Sequence, residues 1–215
     1  MVYQKYRPFC SFRWRIGYNP GVGETSVVAG PRTQARKRIL DAAYDLFSTR
    51  GIRAVGIDEI VARAEVAKAT LYRHFRTKDV LVLSFLERRE ELWTKEFVEA
   101  EARRRGATPE ERLVAIFDVF DEWFHDEKFE ACSFINTLLE MGPEHVAGRA
   151  SIVYLDNIRT LVADLAEEAG LRDTDSFANS FQILMKGSII SAAGGDLEAA
   201  QRAKAIARLV IEQYR

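Results

Sequence analysis

The chain has 215 residues, 47% of them hydrophobic, enough for a full core, which excludes a disordered tail or a miniprotein. Its net charge of −1 hides an asymmetry: residues 32–78 hold 11 Lys/Arg against 5 Asp/Glu, residues 1–31 hold 4 against 1, and residues 79–215 hold 16 against 26, so only the N-terminal part is suited to meet a polyanion. No run approaches the roughly 18 apolar residues of a membrane helix, and Cys10 and Cys132 form neither a disulfide framework nor a metal spacing, so a soluble cytoplasmic protein is expected, with no membrane contact.

Residues 1–31 scatter Pro8, Gly17, Pro20, Gly21, Gly23, Gly30 and Pro31 among aromatics and arginines without periodicity, which predicts a flexible leader. Arg13 and Arg15 interrupt the stretch that a signal peptide would keep apolar. The leader is either a basic arm reaching a nucleic-acid backbone or a segment that does little.

From Thr33 the pattern turns helical. Ile39, Ala43, Leu46 and Phe47 share one face, and Gly51 follows where a helix commonly stops. Ile57, Ile60, Val61 and Ala64 predict a two-turn second helix. Leu71 and Phe75, four apart, give a third helix one apolar edge, with Val66 plugging the turn before it. Three short helices of this kind over residues 32–78 read as a helix-turn-helix whose last helix lies against DNA.

Such a helix must bring its N-terminal residues to base edges while its neighbours hold phosphates. Lys68 can donate to guanine O6 or N7, Ala69 lets the helix approach or touches a thymine methyl, and Thr70, Tyr72 and His74 carry donors for phosphate oxygens. Arg73 adds a charge, and Lys78 adds another at the next helix start. For any one of these residues a plain solvated face is an equal reading, but six polar groups within eleven positions behind a matching turn point to DNA.

Residues 33–79 resemble the DNA-binding domain of the TetR family of bacterial transcriptional regulators. The resemblance rests on Ile39, Ala42, Ala43, Leu46, Phe47 and Gly51, on Ile57 and Ile60, and on Thr70-Leu71-Tyr72-x-His74-Phe75-x-x-Lys78. It implies a homodimer on a near-palindromic double-stranded operator, usually a repressor, released when a small molecule enters the C-terminal part. Carried over by position, Lys68, Ala69 and Tyr72 face bases, and Thr70, His74 and Lys78 phosphates, with Arg73 an addition. Three residues depart from the pattern. Glu65 takes the usual glycine of the turn, Ala67 replaces a Ser/Thr N-cap, and Gly56 stands where Thr is common. Weaker or more salt-sensitive DNA binding is the expected consequence.

Beyond the motif, Thr77 predicts the N-cap of a long connector helix running to about Arg105. Pro109 opens a helix with Leu113, Ile116, Phe117, Phe120 and Phe124 on one stripe. Further helices are expected over Phe129 to Met141, Val146 to Ala169, and near 174–193 and 196–213, broken at Gly142-Pro143, Gly170 and Gly194-Gly195. With no strand pattern, the fold expected is all-α with about nine helices, divided at residues 78 and 79.

In the family this C-terminal part surrounds a ligand cavity, which makes Phe117, Phe120, Phe124, Phe134, Leu138, Met141 and Phe181 candidates to line a site for a small hydrophobic or aromatic effector. An aromatic stripe of this kind is more often plain core. Cys132 reads as inert packing in an apolar helix. Glu122, His125 and His145 have a spacing too weak for a metal site, and no cofactor is expected. No nucleophile–base pair is evident, so an enzyme is not expected. Phe177, Leu184, Gly187, Ser188, Ser191, Ala203, Ile206, Ala207 and Val210 mark the last two helices with small residues among apolar ones. They suit a four-helix interface between two copies, or a hairpin within one.

Overall fold

The computed structural model describes residues 31–215; the leader expected over 1–31 lies outside the described residues except for Pro31. Nine helices follow one another with no strand among the described residues. The first three are α1 (Pro31–Arg50), α2 (Ile57–Ala64) and α3 (Lys68–His74). Ile39, Ala43 and Phe47 from α1, Ile60 from α2, and Leu71 and Phe75 from or just after α3 are all buried and close a small core between them. Gly51 ends α1 with φ +80°, its N–H bonded to the Phe47 carbonyl at 3.0 Å, a left-handed turn that glycine adopts without steric cost.

Helix α4 joins the two halves. It is continuous through Lys78–Arg89, Glu90–Glu99 and Ala100–Arg105, and the middle ten residues are wound as a π-helix. Thr77 caps its start by accepting the Val80 N–H. Its first turns belong to the N-terminal core. Phe85 packs edge-on against Tyr44 (5.4 Å) and Phe47 (5.6 Å), and Arg88 pairs with Asp41 at 2.5 Å. Burial raises the Asp41 pKa, but Arg88 and Lys37 outweigh it and hold the carboxyl below its ordinary value.

Helix α5 (Pro109–Phe124) starts on a capping box in which Thr108 accepts the Glu111 N–H and Glu111 reaches back to the Thr108 N–H, with proline in the first turn. The remainder are α6 (Ser133–Met141), α7 (Val146–Glu168), α8 (Thr174–Ala193) and α9 (Ala199–Tyr214). The α5 stripe is the centre of the C-terminal core: Phe117, Phe120 and Phe124 are buried with Phe134 of α6 and Phe177 and Phe181 of α8.

Two element starts differ from the sequence reading. Helix α6 begins at Ser133 rather than Phe129, because Ala131 takes a left-handed backbone (φ 58°) that a helix cannot contain. Phe129 instead sits in the preceding loop and packs against Trp123 and Phe124, and Cys132 becomes the N-cap residue rather than a helical one. Helix α9 begins at Ala199, three residues after Asp196, whose side chain accepts the Glu198 N–H and takes up the first turn.

Candidate nucleic-acid interface

Helix α3 is oriented by what it buries. Leu71 and Phe75 are 0% and 1% exposed, so the opposite side of a seven-residue helix must face out: Lys68, Ala69, Tyr72 and Arg73 are exposed, and Thr70 and His74 lie half-buried on its flanks. Six of the seven DNA-facing residues anticipated from sequence therefore share one accessible surface. Arg73 and Arg76 make no ion pair among the described residues and leave their charge to the surface. Lys68 is held by Asp58 of α2 at 2.7 Å, and that hydrogen bond raises the lysine pKa. Both side chains are exposed, so the pair is weak enough to yield to a better acceptor on DNA.

Lys78 is placed differently. It is half-buried, its ammonium donates to the Ile52 carbonyl and lies 5.9 Å from the Phe47 ring, so its first task is to fasten the α1–α2 turn. Arg36, which sequence reasoning passed over, sits 5.1 Å over the Phe75 ring, a cation–π contact that seals the end of α3.

The departures at the turn are visible in the backbone. Glu65 is left-handed (φ 51°, ψ 50°), its N–H bonded to the Ala62 carbonyl, and neither Ala67 nor Gly56 gives a side-chain cap. A non-glycine residue pays about 1–2 kcal/mol for this conformation, whereas a glycine there loses about 0.4–1 kcal/mol through the freedom of the unfolded chain. The difference favours glycine. Glu65→Gly is expected to raise the unfolding free energy by about 0.5–1 kcal/mol, read by thermal melting, and to tighten DNA binding at low salt by removing a negative charge beside the interface.

The C-terminal half holds a small cavity of about 20 Å³ between α4, α5, α6, α7 and α8, with Trp93, Thr94, Phe120, Leu155, Gln182 and Lys186 in its wall. Of the seven pocket candidates, Phe120 lines it. Phe117, Phe124, Phe134 and Phe181 are fully packed into the aromatic core, and Leu138 and Met141 lie half-buried at its margin. Trp93, Lys186 and Gln182 were not anticipated, because they reach the cavity from helices far apart in the chain. A wider cleft of about 930 Å³ opens between the end of α1 and the α5–α6 loop, walled in part by Glu127, Glu130 and Glu140. Burial pushes the Glu130 carboxyl up.

On the last two helices, Phe177, Ser188, Ala203 and Ala207 turn into the protomer's own core, while Leu184 and Val210 are half-buried. Gly187, Ser191 and Ile206 are exposed, joined by Ile183 and Leu209, both 70% exposed, and Ile190. The outward face is thus more apolar than the small-residue pattern indicated. Glu122 is taken by Arg105, His125 Nδ1 lies 2.8 Å from the Asp121 carbonyl, and His145 caps α7. No group of three or more His, Cys, Asp or Glu among the described residues is placed to hold a metal ion. No helix among them is long and apolar enough to cross a membrane.

Comparison with known proteins agrees with this arrangement. Residues 39–85 match the family of bacterial regulatory proteins known as tetR. The chain is 47% identical over 58 residues to the HTH-type transcriptional activator FasR of Mycolicibacterium smegmatis, an alignment covering 27% of this chain and 26% of that protein. It is 37% identical over 98 residues to the HTH-type transcriptional repressor KstR of Rhodococcus jostii, covering 44% and 43%. The chain thus spans less than half the length of either relative. In three dimensions it is similar to a TetR-family transcriptional regulator from Streptomyces coelicolor, with a TM-score of 0.78 and 28% identity over 85% of this chain and 96% of that one. The helix-turn-helix at α2 and α3 is thus that of the bacterial regulatory proteins known as tetR, and the described helices share the fold of a TetR-family transcriptional regulator.

Proposed function

We propose that the protein is a sequence-specific regulator of transcription that binds a near-palindromic operator as a homodimer and responds to a small apolar effector held in its C-terminal half. The observation that carries the reading is the outward face of α3, where Lys68, Ala69, Tyr72 and Arg73 stand together on a helix fixed from behind by Leu71 and Phe75. Lys68, Ala69 and Tyr72 meet base edges, and Thr70, His74 and Arg73 meet phosphates. Lys78 reaches a phosphate only with the donors its bond to Ile52 leaves over.

Selection of bound duplexes from a random pool, followed by footprinting, tests this. Two inverted half-sites about one helical turn, roughly 34 Å, apart are expected. Tyr72→Ala should weaken the selected site by about tenfold or more, at least 1.4 kcal/mol, while non-specific binding changes little. Recovery of no preferred sequence, or an unchanged Tyr72→Ala, would refute the assignment.

The second copy is read from the exposed Ile183, Ile190, Ile206 and Leu209 of α8 and α9, with Gly187 and Ser191 allowing close approach. Leu209→Asp places a charge in that face and is expected to shift sedimentation from dimer to monomer at micromolar concentration while circular dichroism stays helical. A wild-type monomer at that concentration would refute the pairing.

A further inference from the structure

Some helix hydroxyls in this protein find a carbonyl of their own helix. Thr49 Oγ1 donates to the Asp45 carbonyl at 2.8 Å, and Ser188 Oγ to Met185 at 2.8 Å. The buried hydroxyls of Ser48, Ser151 and Thr94 do not, and of these three residues Thr94 lines the small cavity. It is 4% exposed, its Oγ1 has no hydrogen-bond partner, and it reaches the cavity from the π-helical part of α4. Single buried polar groups left unpaired cost free energy unless something visits them, and π-helical turns gather at functional sites.

Across the same cavity stands Lys186 of α8. Its ammonium donates to Gln182 Oε1 at 3.0 Å, and the Gln182 amide donates in turn to the Leu155 carbonyl, so the lysine is aimed by a fixed neutral group. No carboxylate lies within 4.0 Å of it among the described residues. Its neighbour Cys132 offers no counter-charge, because burial pushes that thiol up and keeps it protonated. Burial also pulls the Lys186 pKa down, the mark of a cation that lacks an anion.

We propose that this cavity takes the acidic head of an apolar monocarboxylate, with the Lys186 ammonium and Thr94 hydroxyl on the carboxylate and Trp93, Phe120 and Met185 against the body. The assignment rests on the effector reading above and names the chemistry of that same site. At about 20 Å³ the cavity admits a water-sized group and no more, so the ligand body displaces the half-buried Ile135 and Ile158 of the wall. Because Trp93, Thr94 and Val98 of the wall all belong to the π-helical segment, a ligand held there bears on the helix that leads to the DNA-binding half.

The test uses 4-phenylbutyrate and its neutral match 4-phenylbutanamide, titrated into the full chain and followed by tryptophan fluorescence and calorimetry. The carboxylate is expected to bind about tenfold or more tightly than the amide. Lys186→Met should abolish that preference and Lys186→Arg should keep much of it. Thr94→Val, which removes an unpaired hydroxyl and so leaves the fold intact, should cut the preference about threefold even if Lys186→Met fails to fold. Equal binding of the two probes, no binding of either at millimolar concentration, a preference that survives Lys186→Met, or a preference undiminished in Thr94→Val overturns the proposal. Operator affinity is measured separately: carboxylate binding that leaves it unchanged sinks the regulatory reading but supports the subsite.

Discussion

Gly148→Ala is expected to lower the unfolding free energy by about 3 kcal/mol or more, the upper end of what overpacking a folded interior costs. In an ordinary helix the same change stabilises by about 0.5–1 kcal/mol, because glycine loses more freedom on folding than alanine. Here geometry reverses the sign. Gly148 lies in the first turn of α7, and a Cβ built on it would fall 1.9 Å from the Gly142 carbonyl oxygen and 2.8 Å from its carbon. Both are backbone atoms, so no side-chain rotation gives relief. Gly142 itself has φ +83°, and its carbonyl already accepts the His145 N–H, so the turn from α6 to α7 has no slack to offer. Urea unfolding should show a lower midpoint with an unchanged slope, since the surface exposed on unfolding is the same. Wild-type stability in this variant would mean that the α6–α7 turn is more open than described.

How far the sequence reveals such things depends on whether the cause is local. Helix α2 falls at Ile57–Ala64 and α8 at Thr174–Ala193, as the pattern anticipates, because the cues are local: the apolar spacing of Ile57, Ile60, Val61 and Ala64 for the first, and Asp173 at the N-cap with Gly194-Gly195 beyond Ala193 for the second. The outward face of α3 was legible for the same reason, since Leu71 and Phe75 fix its roll by themselves. Helix α8 has two apolar stripes, one against its own protomer and one facing out, and small residues occur on both. A 3.6-residue period cannot say which is which, so Phe177 and Ser188 turn inward while Ile183 and Ile190 stand exposed. The π-helical stretch of α4 carries no sequence signal either. Glu90–Glu99 reads as an ordinary amphipathic helix, and only the tertiary fold brings its Thr94 to the same cavity as Lys186.

Loosening of the DNA-binding half is the expected outcome of Glu140→Ala, by about 2–3 kcal/mol measured on the local opening of the α1–α2 turn. Glu140 belongs to α6, in the C-terminal half, yet its carboxylate accepts the Ile52 N–H at 2.8 Å and the Arg53 N–H at 2.5 Å, both just after α1. The other side of the same turn is held by Lys78, which donates to the Ile52 carbonyl. Charge-assisted bonds to backbone donors contribute about 1.5–3 kcal/mol each when sheltered, and the exposed position of Arg53 puts its bond below that range. Gly51 is what lets the carboxylate come so close: a Cβ there would lie 3.0 Å from Glu140 Oε2. With the carboxylate gone, the two N–H groups must turn to water, and α1 and α2 keep their own core while losing their fixed bearing on α6. Amide exchange at Ile52 and Arg53 should therefore quicken about 30- to 150-fold, with little change in the core of α5. Glu140→Gln, which keeps one acceptor oxygen, should give about half the effect in free energy. On the dimeric operator complex proposed above, affinity should fall in the same order, because two recognition helices would have to meet their half-sites at one fixed separation and each freed joint adds entropy to be lost on docking. Unchanged exchange at Ile52 and Arg53 in Glu140→Ala would show that the two halves are held together by their shared apolar core alone.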